Sequence, residues 1–174
     1  MRKEYGKVLR QYFGIQMKKF LPDYKEVKVK SQYLGTGERC YSKSQGRSVN
    51  CWIVLSPSQK GYDEFTIMVG WSVLGRYPEL NMIPSIVSPS SDRKEFSLEE
   101  YLIRLPQLWT KDDIWWVVKK YEPAFTPEEL QALNEPISLE DAEDMVIPQV
   151  DNAMQKLLDE GIPYLSEFAG SKTE

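Results

Sequence analysis

Two β-forming runs joined by a turn constrain this chain more than any other part of its sequence. Asn50-Cys51-Trp52-Ile53-Val54-Leu55-Ser56 and Glu64 to Val73 are rich in β-branched and aromatic residues, and Pro57, Ser58, Gly61 and Asp63 between them are turn formers. The pattern predicts a β-hairpin within residues 48–74. In its second strand Phe65, Ile67, Val69, Trp71 and Val73 alternate with Thr66, Met68, Gly70, Ser72 and Leu74. One face is therefore apolar and the other smaller and more mixed, as expected of a sheet covered on one side.

The segments before the hairpin extend this sheet. Between Lys3 and Phe20, Tyr5, Val8, Leu9, Tyr12, Phe13 and Phe20 follow the spacing of one helical face. That amphipathic helix should pack on the sheet and end at Leu21-Pro22-Asp23. Lys25-Glu26-Val27-Lys28-Val29-Lys30 alternates charge with valine, the pattern of a short edge strand protected by lysines. Tyr33 to Gly37 is a loop, and Glu38 to Lys43 then pairs with Arg47 to Leu55. If Gln45-Gly46 is a two-residue turn, Cys40 falls opposite Cys51. A disulfide between directly opposed strand residues is strained, so two reduced, packed thiols are expected.

After the hairpin, residues 76–94 hold Pro78, Pro84 and Pro89 among several serines and are expected to form a long surface loop, a candidate for partner contact. Tyr101 to Leu105 is strand-like. Thr110 to Asp113 could cap a short helix carrying Ile114-Trp115-Trp116-Val117-Val118, although a strand fits those residues equally well. In either state Trp115 and Trp116 point in different directions, so one is expected inside and the other at the surface as a binding anchor. Thr126-Pro127-Glu128-Glu129 and Ser138-Leu139-Glu140-Asp141 are two helix starts. The second helix should bury Val146, Val150, Ala153, Met154 and Leu157, kink at Pro148, and stop at Gly161-Ile162-Pro163.

The expected fold class is α+β: a single antiparallel sheet of four to five strands, covered by an N-terminal helix and C-terminal helices. Residues 1–168 form one domain, with 122–168 as its acidic helical part and 169–174 as a flexible tail. A chain of 174 residues suffices for one core. No uninterrupted apolar run exceeds five residues, as in Ile114 to Val118, which is too short for a membrane span. Met1-Arg2-Lys3-Glu4-Tyr5 is followed by no apolar stretch of the kind an export signal is expected to have. The chain is therefore expected in the cytoplasm unless a partner carries it elsewhere.

Charge is distributed unevenly along the chain. Residues 1–47 carry 12 Lys/Arg against 4 Asp/Glu, and residues 122–174 carry 2 against 13. The basic and acidic ends should attract each other or form solvated faces, and the acidic segment is a candidate docking face for a basic partner. Glu140, Asp141, Glu143 and Asp144 are its densest cluster, and with Trp115 and Trp116 they are the candidate partner-binding residues. They have no calcium-loop spacing, and at a helix start such acids favour the dipole.

The chain has no histidine, which excludes Ser-His-Asp and Cys-His catalysis and every histidine metal site. Gly35-Thr36-Gly37 lacks the third glycine of a dinucleotide site, Gly70 to Gly75 misses the nucleophile-elbow spacing by one residue, and no phosphate-loop pattern occurs. No catalytic residue, metal site or cofactor is therefore assigned. One alternative is a metal-dependent nuclease-like enzyme using Asp23, Glu26 and Lys28, with Asp63 or Glu64 supplying an acid from another strand. A second is an RNA-binding module in the basic N-terminal third, where Tyr5, Tyr12, Tyr24, Tyr33 and Tyr41 are interleaved with cations. A pI of about 5.1 and the acidic end argue against a general DNA binder.

The order of elements resembles the bacterial domain of unknown function 4304 family. The likeness is carried by the N-terminal helix, the Tyr41 to Lys43 arm, Phe65-Thr66-Ile67-Met68-Val69-Gly70, Ile103-Arg104-Leu105 followed by Asp113-Ile114-Trp115-Trp116, and Gly161-Ile162-Pro163-Tyr164-Leu165. The resemblance implies an α+β fold and a bacterial source, and supplies no catalytic residues. Small acidic bacterial domains without catalytic motifs are often binding proteins, including immunity proteins that mask a toxin. The expected function is accordingly a non-enzymatic protein-binding domain, an immunity-type inhibitor of a basic partner such as a toxin.

Overall fold

A computed structural model describes residues 1–30, 34–45, 49–78, 100–121, 126–128 and 135–170. Its elements are α1 (Lys3–Phe20), β1 (Lys25–Val27), β2 (Arg39–Gln45), β3 (Val49–Pro57), β4 (Asp63–Ser72), β5 (Glu100–Arg104) and β6 (Trp116–Lys119). They are followed by α2 (Leu139–Lys156), a π turn (Leu157–Gly161) and α3 (Ile162–Gly170). All six strands join one antiparallel sheet in the order β1-β2-β3-β4-β5, with β6 also paired to β4. β4 is long enough to hold two neighbours in succession: Met68 to Ser72 pair with β5, and Asp63 to Phe65 with β6. The fold is α+β, with helices on one face of the sheet.

The predicted hairpin is β3–β4, and Gly61 at φ +83° supplies the left-handed residue in its connection. Tyr41, Ile53, Val69 and Ile103 stand side by side across four strands and face the helices. Against them pack Leu9, Phe13 and Met17 of α1 and Val146, Val150 and Met154 of α2. The opposite face is also closed. Cys40, Trp52, Val54, Met68 and Leu102 form a second cluster with Tyr77, whose ring meets that of Trp52 edge-on at 5.4 Å. The expectation of one covered side is thus corrected for the central strands, since the mixed face of β4 carries enough apolar volume to be buried as well.

The register of β2 against β3 differs from the one a two-residue turn gives. Cys40 lies opposite Val54, and Cys51 opposite Lys43. A shift of three residues exchanges the faces of one strand relative to the other, and the observed register puts Tyr41, Ile53 and Leu55 together on the helix side. The two cysteines are free, buried and on opposite faces. Gly46, at the proposed turn, lies outside the described residues, as do Arg47, Tyr33 and most of the 76–94 loop.

Three further expectations are revised. Residues 116–119 form a strand, not the end of a capped helix, because β4 still has free edge positions for them. The Thr110 hydroxyl bonds the backbone N–H of Asp112 without starting a helix. Phe20 is 44% exposed, and Met17 takes the last buried place on α1. Finally, Gly161-Ile162-Pro163 does not stop the second helix. The Ile162 N–H reaches back to the Leu157 carbonyl, and α3 continues to Gly170, so residues 169–170 belong to it. The other early helix start, at Thr126, is described only to Glu128, where Pro127 and Glu128 are helical.

Candidate functional site

The acidic cluster is positioned by the apolar side of α2. Ala142, Val146, Val150, Ala153 and Met154 face the core, so Glu140, Asp141, Glu143 and Asp144 are turned to solvent, and all four are exposed. Ser138 caps the helix by accepting the Asp141 N–H at 3.0 Å and donating its hydroxyl to the Asp141 carboxylate at 2.6 Å. None of the four carboxylates meets a lysine or arginine among the described residues. Leu139 and Met145, 48% and 41% exposed, stand among them. The result is an unneutralised acidic surface around two apolar side chains.

The two tryptophans part as adjacent extended residues must. Trp116 is buried, stacks on Phe65 at 5.8 Å, and donates its indole N–H to Asn152 of α2 at 2.9 Å. It is thereby withdrawn from any docking role and serves to tie β6 to the helix layer. Trp115 is half-buried beneath the Arg104 guanidinium, 4.6 Å from its ring centroid. Burial alone would raise the Asp113 carboxyl, but hydrogen bonds from Arg104 and Trp115 and the Arg104 charge outweigh it and hold the group below its ordinary value. Arg104 lies on the side of the sheet away from the helices, so Trp115 does not share a surface with the α2 acids.

The acids of the nuclease-like alternative are not brought together. Asp23 pairs with Lys43 at 3.0 Å, Glu26 with Arg39 at 2.5 Å, and Asp63 with Arg2 at 3.2 Å. Glu26 aligns through Tyr41 and Ile53 with Val69, whereas Asp63 begins β4 at its other end. Among the described residues no three acids or cysteines converge as cation ligands. The tyrosines of the RNA-binding alternative are likewise occupied. Tyr5, Tyr24 and Tyr41 are in the core, and Tyr12 donates its hydroxyl to Asp151 at 2.9 Å.

The fold also builds a site that sequence pattern alone did not indicate. A cleft of about 530 Å³ runs between α1 and the β1–β2 edge, lined by Lys7, Arg10, Gly14, Lys18, Glu26 and Arg39. The α1 members recur every three or four residues, forming a second stripe beside the buried one. A periodic search for apolar residues passes over such a stripe because its members are polar.

Scans against protein-family models, curated proteins and solved structures found no match for this chain.

Proposed function

We propose that this chain is a non-enzymatic, cytoplasmic protein-binding domain of bacterial origin that recognises a basic partner through the outer face of α2. The observation that carries this is the state of Glu140, Asp141, Glu143 and Asp144. All four are exposed and unmatched by any cation of the described chain. An unneutralised acidic surface attracts a cationic partner during diffusional encounter, and the exposed Leu139 and Met145 offer apolar area for its core. That chemistry suits an immunity-type inhibitor covering the basic active site of a toxin.

Affinity capture from the source organism tests it by comparing the native chain with a Glu140→Lys/Asp144→Lys variant. The native chain should retain one dominant basic protein at low salt and release it as salt rises, and the variant should bind it about tenfold or more weakly. Equal retention by both forms would refute the assignment of the face.

A further inference from the structure

The cleft beside α1 has the construction of an anion site, independent of the acidic face. Its walls carry Lys7, Arg10, Lys18 and Arg39 against one carboxylate, Glu26. Glu26 is already engaged by Arg39 at 2.5 Å in a surface pair. Arg10 meets no carboxylate among the described residues. Its guanidinium lies between Gly6 and Gly37, which line the neighbouring cleft that Arg10 also borders. A Cβ on Gly6 would come within 3.0 Å of Arg10 Nη1, and one on Gly37 within 3.2 Å.

The loop that carries Gly37 is braced independently of any ligand. Gln59 exchanges hydrogen bonds with the Thr36 backbone at 3.1 and 3.2 Å, and the Glu38 carboxylate accepts from the Gly35 N–H and the Ser56 hydroxyl. Glu38 is thus committed to its own loop. Gly14 lines the cleft, and the Tyr41 hydroxyl lies 3.5 Å from where a Gly14 Cβ would stand. Tyr41 is 3% exposed, and its hydroxyl has no partner among the described groups. The half-buried, unpaired Arg10 guanidinium carries a desolvation cost that a bound acceptor would relieve, whereas the Tyr41 hydroxyl does not line the cleft.

We infer that this cleft binds a small phosphate-bearing molecule, with Arg10 as its principal contact and Lys7, Lys18 and Arg39 balancing its charge. A guanidinium fork suits the paired oxygens of a phosphate, and the cationic excess suits a multiply charged group better than a single carboxylate. The volume falls within the range of small-ligand sites, roughly 300–1,000 Å³. Because Tyr5, Tyr24 and Tyr41 are buried in the core, they provide no stacking platform for a single-stranded nucleic acid. Arg10 also lines a neighbouring cleft of about 340 Å³, with Lys3 and Gly37, into which a larger ligand could extend.

Titration calorimetry of the full chain with inorganic phosphate, pyrophosphate, a nucleoside diphosphate and a single-stranded RNA oligonucleotide tests the inference. Pyrophosphate should bind saturably at one site and weaken as salt rises. Arg10→Gln and Lys18→Glu should each weaken it about tenfold or more. Lys18 is exposed, so its substitution leaves the core intact should Arg10→Gln fold poorly. Lys19→Glu makes the same charge change outside the cleft and should alter affinity by less than about threefold. Equal affinity for pyrophosphate and the diphosphate would identify the phosphates as the whole ligand. Tighter diphosphate binding would extend the site into the second cleft, and both outcomes support the inference. Equal weakening by Lys18→Glu and Lys19→Glu, RNA binding without pyrophosphate binding, or no binding of the small phosphates would overturn it.

Discussion

Gly70 is where one missing Cβ has the largest consequence. It lies between Trp52 of β3 and Leu102 of β5, and a Cβ there would stand 2.2 Å from the Tyr101 carbonyl oxygen and 2.8 Å from Leu102 Cδ1. The first of those atoms is backbone, so it cannot swing aside. Gly70→Ala should therefore cost about 2 kcal/mol or more in urea denaturation, and an unchanged midpoint would show that β5 can move away. In the sequence this glycine is only a small residue on the mixed face of a strand. The divergence of Trp115 and Trp116, by contrast, was legible from adjacency. Which of the two enters the core was decided by Phe65 and Asn152, residues distant in sequence from both.

Among the elements, α2 was the most legible. Its cap at Ser138 and its buried stripe follow from local chemistry, and both are where the pattern puts them. Ser138→Ala should lower stability by about 1 kcal/mol, measured by thermal or chemical unfolding, because the Asp141 N–H then loses its side-chain acceptor. The helix end departs from the local pattern for an equally physical reason. Gly161 and Pro163 normally mark a stop. Here a Cβ on Gly161 would meet Leu157 Cδ1 at 2.8 Å and Leu105 Cδ1 at 3.0 Å, so the glycine permits close packing against the sheet layer. The π turn before Ile162 re-phases the helix so that Tyr164 and Leu165 still reach the core. β6 was ambiguous because a five-residue apolar run has no period of its own, and an open stretch of β4 settled it.

For the molecule as a whole, the sheet buries apolar clusters on both faces, and several weak acids are enclosed in neutral form. Burial pushes the Cys40 thiol up to about 12, the Cys51 thiol to about 11 and the Tyr41 phenol to about 12, and it raises Tyr24 and Tyr77 further. The folded state thus keeps these protons at pH values where the unfolded chain has released them. Their contribution to stability is complete below about pH 9 and falls as pH rises through the folded-state values. Urea midpoints should accordingly be level near neutrality and decline between about pH 9 and 11, less steeply in a Cys40→Ala/Cys51→Ala variant. A level profile to pH 11 would refute this.

The basic N-terminal helix and the acidic C-terminal helix come together without pairing off. α1 and α2 pack side by side through their apolar stripes and the Tyr12–Asp151 hydrogen bond. No lysine or arginine of α1 reaches an acid of α2 among the described residues, which leaves a basic cleft and an acidic face on one molecule. The sequence by itself determined the α+β class, the central hairpin, the two amphipathic helices and the outward acids of α2. Each depends on periodicity and capping within a single segment. Only the tertiary structure decided the cysteine register, the strand at 116–119, the close contact at Gly161 and the setting of Arg10 between Gly6 and Gly37. Those features arise where segments distant in sequence exclude one another's volume, and a pattern read along one strand of chain carries no record of what lies across from it.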